Sequence, residues 1–192
     1  PKMSALGMVD GKQYGLPVNA SSPIIYVNAE LVRKAGGDPD NMPKTFDGLI
    51  QLANKIHAQD AKVSGMGYDI NLWPDDWLWQ ALITNQGGKL VDETTKTVGF
   101  DNEIGLNALK LARRFVTEGG QNLLDWDQSR QQFGAGLTGF IFSTPAHVQT
   151  IEALVGDRFK LVTSTFPLDN PEKGGVPTGG NSAVMLTQDK EK

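Results

Sequence analysis

The chain has 192 residues, 39% of them hydrophobic, and carries a net charge of −4, so it is long enough for one sizeable core. Its charges are mixed in sign with no basic stripe, so the electrostatic footprint of nucleic-acid binding is missing. It has no cysteine, which excludes a disulfide scaffold, a thiol nucleophile and thiolate metal sites, and no stretch is apolar enough to span a membrane.

Tyr14 to Val18 and Ile24 to Val27 are β-branched or aromatic runs and predict strands. Between them lies a Pro-checked break and the polar patch Asn19 to Ser22. Asn28 suits the N-cap of a helix that runs to Ala35 and stops at Gly36-Gly37. Thr45 caps a second helix, in which Phe46, Leu49, Ile50, Ala53 and Ile56 recur at helical spacing. Val63 to Ile70 predicts a strand. Asp75 and Asp76 open a helix that reaches Asn85, where acidic groups suit the N-terminal dipole.

Thr97 to Phe100 predicts a short strand, and Asp101 or Asn102 caps a helix with Ile104, Ala108, Leu111, Ala112 and Phe115 on one face. Asp127 to Phe133 predicts a short helix and Thr138 to Phe142 an apolar strand. Thr144-Pro145 reads as an N-cap followed by Pro at the first helical position, with Val148, Ile151 and Val155 on the apolar face. Strands at Phe159 to Phe166 and Ser182 to Thr187 flank a polar loop, Pro167 to Pro177. The alternation of strands and helices predicts an α/β domain with an open, mostly parallel sheet. The chain starts at Pro1 without a preceding Met and ends just past an apolar run, so a fragment is expected.

Six pieces in order carry a family resemblance: Gly11-Lys-Gln-Tyr-Gly-Leu-Pro17, Tyr26-Val-Asn28, Pro43-Lys-Thr-Phe46, a Trp-bearing helix ending in Gly87-Gly88, Thr138-Gly-Phe-Ile-Phe-Ser143, and Gly179-Gly180 before a last strand. Their order and spacing resemble the sugar and glycerol-3-phosphate group of ABC-transporter extracellular solute-binding proteins, the maltose-binding-protein-like family. The resemblance implies a periplasmic-binding-protein-like (type II) lobe, with an open, mixed, mostly parallel sheet flanked by helices. It implies that residues 1–19 end a first lobe, that 20–175 form most of a second, and that 176–192 return toward the first. It further implies a monomer, in the periplasm or tethered outside the membrane, that delivers a sugar or polyol phosphate to ABC permease transmembrane subunits. Capture without chemistry is expected, with no cofactor and no metal.

Each candidate site residue has an ordinary reading beside its functional one. Ser21 and Ser22 fall where the family places a ligand contact at the hinge, and hydroxyls suit sugar or phosphate oxygens; otherwise they form a polar turn. Trp77 falls where the family places a cleft aromatic, and an indole face suits a pyranose. Trp73 suits either cleft or core, and Trp79 suits the core. Asp75, beside Trp77, suits hydroxyl binding or plain capping. Ser143 and Thr144 sit at a strand end and helix start, where free N–H groups meet a ligand or Thr144 only caps. Gly179, Gly180 and Asn181 allow close backbone approach to a ligand, or make a turn.

Other patterns fail. Gly134 to Gly139 matches GxGxxG, but a helix precedes it and a strand follows, the reverse of a dinucleotide site. Asp125 to Ser129 begins like a calcium loop, but Arg130 stands where Gly is required and Gly136 where Glu is. Ser143 and His147 lack an evident orienting acid for a hydrolase triad. A carbohydrate-active hydrolase needs paired carboxylates, and only Asp75 or Asp76 with Asp125 or Asp127 offers them. No Arg or Lys falls among the candidates, so a neutral mono- or disaccharide is expected ahead of a glycerol phosphate or glycerophosphodiester.

Overall fold

A computed structural model describes residues 2–70 and 76–186. In chain order the elements are β1 Met8–Val9, β2 Lys12–Gln13, β3 Gly15–Ser21, β4 Ile24–Asn28, α1 Ala29–Lys34, α2 Phe46–His57, β5 Ser64–Gly67 and α3 Asp76–Asn85. They continue with β6 Val91–Asp92, β7 Thr97–Val98, α4 Glu103–Thr117, α5 Trp126–Gly134, β8 Thr138–Ser143, α6 Val148–Val155, β9 Leu161–Thr165 and β10 Gly179–Val184. The chain divides into two compact units, one of residues 1–22 with 178–192 and one of residues 23–177.

The larger unit is built on one sheet in the order β5-β8-β4-β9. It is mixed, as expected, but the expected parallel majority of pairings is absent. β5 and β8 pair parallel, whereas β4 pairs antiparallel with both β8 and β9. The reason lies in one strand. β5, β8 and β9 run the same way and β4 alone reverses, but it sits between β8 and β9, so two of the three ladders are antiparallel.

Alternation along these strands divides the core between the two faces of the sheet. Ile25, Val27, Phe140 and Phe142 join the large cluster with α2, and Tyr26 and Ile141 join a smaller one with Phe133, Ile151 and Val155 of α5 and α6. β4 and β8 therefore read as continuous apolar runs, because both faces are covered. The caps follow the sequence. Asn28 Oδ1 accepts from Leu31 N at 3.2 Å, and Thr45 Oγ1 accepts from Gly48 N at 3.2 Å. Asp125 and Gln128 close a capping box at the start of α5.

Three boundaries differ from expectation. β5 stops at Gly67, because beyond it the Gln121 side chain replaces a partner strand. Its Oε1 accepts from Tyr68 N and its Nε2 donates to Tyr68 O, both at 2.9 Å. The strand expected at Thr97 to Phe100 is one arm of a short hairpin with β6. The last strand begins at Gly179 rather than Ser182, because the two glycines pair with Ser21 and Ala20 of β3.

The smaller unit contains the β1–β2 hairpin and the antiparallel β3–β10 ribbon. Leu16 and Val18 of that ribbon are 70% and 68% exposed, so one of its apolar faces is uncovered within the unit.

Candidate functional site

In the larger unit, β5, β8 and β9 share a direction, so their C-terminal ends meet at one edge of the sheet. Open α/β sheets place ligands outside such edges. Gly67 pairs with Ile141, and Ile24 pairs with both Ser143 and Thr165. Asp69, Ser143 and Thr144 therefore leave the sheet at this edge. Asp69 is 5% exposed and Ser143 3%, so both are buried polar residues at the rim. The Gln121 clamp on Tyr68 fixes the backbone beside Asp69.

Ser143 and Thr144 stand at the strand end, as expected, but the helix does not begin there. A 3-10 turn, Pro145–His147, intervenes before α6. Thr144 Oγ1 caps that turn, accepting from Ala146 N at 3.2 Å, and Thr144 O accepts from His147 N at 3.1 Å. The amides expected to be free for a ligand are thus engaged within the turn. The Tyr26 hydroxyl donates to Thr144 O at 2.8 Å, which ties the turn to β4. Burial, together with the charge of Glu152, pushes the Tyr26 phenol up to about 12.

The turn brings in side chains that sequence reasoning did not assign to the site. Ser143 Oγ lies 3.1 Å from His147 Nδ1. The His147 ring meets the Trp126 ring edge-on at 4.7 Å, and the Arg130 guanidinium lies over Trp126 at 4.0 Å. Burial first, and then the positive charge of Arg130, hold the His147 imidazole below its ordinary range. Arg130, 12% exposed, pairs with the Asp127 carboxylate at 2.5 Å. A signal for part of this cluster existed: Trp126 stands just before the helix predicted from Asp127 to Phe133, four residues from Arg130, and the structure starts α5 at Trp126, so the two share a face.

The remaining candidates separate from this edge. Trp77 and Trp79 are half-buried at the start of α3 and both pack against the large core. Trp79 meets Phe100 edge-on at 6.4 Å, as a core residue does. Trp73 and Asp75 lie outside the described residues. Ser21 ends β3 and Ser22 follows it, both half-buried, in the smaller unit. Gly179, Gly180 and Asn181 line a cavity of about 160 Å³ in that unit, with Asn19, Thr178 and Ser182. Here Asn181 N donates to Asn19 Oδ1 at 2.8 Å. Gly180 has φ 150°, and a Cβ there would lie 2.3 Å from Asn19 O, so only glycine fits. No group of three or more His, Cys, Asp or Glu that could hold a metal occurs among the described residues.

A helix-flanked mixed sheet with polar groups at one strand-end edge defines a lobe of the type II periplasmic-binding-protein-like fold. Residues 3–192 match the bacterial extracellular solute-binding protein family, and the chain belongs to it. Over 57 residues the chain is 42% identical to the sn-glycerol-3-phosphate-binding periplasmic protein UgpB of Rhizobium meliloti (strain 1021), covering 30% of this chain and 13% of that protein. UgpB from Mycobacterium tuberculosis in complex with glycerophosphocholine superposes with a TM-score of 0.81 at 20% identity, covering 99% of this chain and 47% of that one. An ABC transporter solute-binding protein from Thermotoga lettingae bound with alpha-D-tagatose gives 0.80 at 24% identity, covering 100% and 50%. At these identities the likeness is one of fold. The chain spans about half the length of those two structures.

Proposed function

We propose that the whole protein is the substrate-binding component of an ABC importer that captures a mono- or disaccharide for delivery to the permease's transmembrane subunits. The observation that carries this reading is the edge where β5, β8 and β9 end. It places Asp69, Ser143 and Thr144 together in a chain of the solute-binding family. In this reading residues 20–175 are most of one lobe, and residues 1–19 and 176–192 belong to the other. Ser21, Ser22, Trp77, Gly179, Gly180 and Asn181 add contacts. Two lobes close on the solute, which shifts a pre-existing open–closed equilibrium. The protein works as a monomer outside the cytoplasmic membrane, free or tethered, and turns nothing over.

A second reading, a glycerol-3-phosphate or glycerophosphodiester binder, is favoured by a specific observation. Arg130 stands two ring contacts from His147, which itself contacts Ser143, so a cation is present where none was expected. The hydrolase reading gains no such support. Asp125 is committed to capping α5 and Asp127 to Arg130.

Calorimetry on the whole protein with paired neutral and phosphorylated solutes, at low and high salt, tests both binding readings. Saturable binding of a neutral sugar, indifferent to salt, is the expected result. Preference for the phosphorylated member, weakening as salt rises, selects the second reading. Turnover of an oligosaccharide, or no saturable binding across the panel, overturns the proposal. This chain alone is expected to bind at about millimolar strength, since losing half of a micromolar binding free energy of roughly 8 kcal/mol leaves that much.

A further inference from the structure

Ser143 is 3% exposed, and its hydroxyl faces His147 Nδ1 at 3.1 Å, so what it offers at this edge passes through that ring. His147, by contrast, is half-buried. The two imidazole nitrogens diverge across the ring, so the Nδ1 contact with Ser143 leaves Nε2 on the opposite edge. Trp126 packs edge-on against the ring at 4.7 Å, and Trp126 is itself covered by Arg130 at 4.0 Å. A histidine restrained at one nitrogen and packed on an aromatic is a fixed polar head rather than a mobile surface group.

We propose that His147 is the solute-reading side chain of this edge, presenting Nε2 to an oxygen of the bound solute, with Ser143 and Trp126 as positioning residues. The inference rests on the solute-binding reading given above and adds to it a named contact and its chemistry. The Ser143 contact decides which tautomer is present. If the Ser143 hydroxyl donates to Nδ1, Nε2 carries the proton and donates to a hydroxyl or phosphate oxygen. If Nδ1 donates to Ser143, Nε2 accepts, and only a hydroxyl satisfies it. The charge felt by the ring is that of Arg130 of α5, which pairs with Asp127; Tyr26 of β4, whose hydroxyl donates to Thr144 O at 2.8 Å, has the charge of Glu152 of α6 acting on it. Burial first, and then the positive charge of Arg130, hold the imidazole below its ordinary range, which favours a neutral head toward the solute oxygen.

The two histidines make the test direct. His57 Nδ1 contacts Val63 O at 2.8 Å beside β5 and serves as the internal control. The chain is titrated with maltose, D-tagatose, sn-glycerol 3-phosphate and glycerophosphocholine at millimolar concentration, while the imidazole and backbone amide resonances are followed by NMR. At least one probe is expected to shift the His147 ring signals with the same midpoint as the Ser143 and Thr144 amides, leaving His57 still. His147→Phe is expected to weaken that probe about tenfold, the loss of one neutral hydrogen bond, and His147→Gln to restore most of it. Ser143→Ala is expected to change the nitrogen shifts that report the His147 tautomer, which keeps the positioning claim testable should His147→Phe not fold. A probe that moves the Ser143 and Thr144 amides but not the His147 ring, or that binds His147→Phe as tightly, overturns the inference and leaves the solute-binding reading standing. Equal movement of His57 marks nonspecific binding and overturns it as well. If no probe moves any of these signals, the solute-binding reading fails at this edge and takes the inference with it.

Discussion

Gln121→Ala is expected to be the most damaging truncation of any polar side chain near the candidate site. Gln121 is 6% exposed, and its amide makes two hydrogen bonds of 2.9 Å to the N–H and C=O of Tyr68. Tyr68 itself is fully buried, packed on Phe46, Phe115, Phe142 and Phe166, with its hydroxyl donating to Leu78 O at 2.8 Å. Removing the amide strands two buried backbone groups, each worth about 1–3 kcal/mol when unsatisfied, so a loss of about 2–6 kcal/mol is expected. For a unit of this size that lowers the melting temperature by about 4–24 °C. Calorimetric melts and urea titrations with an unchanged m-value measure it. Gln121→Glu adds a pH signature. An ionised carboxylate would face the Tyr68 carbonyl, so its folded pKa would be raised above the unfolded value of about 4.3. The damage is then fully present at neutral pH and recedes as pH falls through the folded pKa toward the unfolded one. A loss below about 1 kcal/mol for the Ala variant, with a pH-flat Glu variant, would refute the clamp.

Gly65→Ala is expected to abolish the soluble fold, because its Cβ would lie 2.1 Å from Ala53 O and 2.4 Å from Gly119 O, both backbone; recovery of a native melt would contradict the packing of α2 on β5. Trp77→Ala is expected to cost about 1–2 kcal/mol of stability, because a half-buried indole packed on the large core loses apolar burial; an unchanged melt with weakened solute binding would return Trp77 to a purely solvated role. Raising the pH is expected to destabilise the chain above about pH 10, where unfolded tyrosines ionise. Tyr26 keeps its proton to about 12 and Tyr68 well above the ordinary value, so the stability they contribute is complete below the unfolded pKa and is lost as pH rises through the folded one. Tyrosinate absorbance against pH, with melts in parallel, checks it; native-state ionisation of all three tyrosines near pH 10 would contradict it.

What the sequence made legible was local. Thr45 announces α2 by itself, and Phe46, Leu49, Ile50, Ala53 and Ile56 mark the face that is indeed buried. Asn28 and Thr144 read as caps by their side-chain chemistry alone, and so does one of Asp101 and Asn102; Asn28, Thr144 and, of the pair, Asn102 accept the capping bond. Strand pairing was another matter. Nothing within Ile24–Asn28 tells it to run antiparallel between two strands more than a hundred residues away, since a strand covered on both faces reads the same in either direction. Gly179 and Gly180 look like a turn because glycine is rare in strand interiors, and only the approach of Asn19 O shows why glycine is required at Gly180. Ser143 and Thr144 were visible as a strand-end pair. The Trp126, Arg130 and His147 cluster was not, because α5 and the 3-10 turn are separated by β8 and meet only once that strand is in the sheet.

That cluster bears on the solute's charge in a way the list of candidate residues did not. In the proposed reading, with no cation among Ser143, Thr144 and the glycines, a neutral sugar is preferred because of the cost of burying an unpaired phosphate. Arg130 changes the premise without reversing the conclusion. Its guanidinium is already engaged by Asp127 at 2.5 Å and by the Trp126 face at 4.0 Å, so a phosphate would have to displace a carboxylate to reach it. Asp127 is 79% exposed, and a pair with one arm in water is held by about 0–1 kcal/mol. Exchange of that carboxylate for a doubly charged solute is therefore cheap where the solute reaches the edge, and a neutral sugar leaves the pair intact. The identity of the solute thus turns on whether the Arg130–Asp127 pair survives binding, and salt dependence reads that directly.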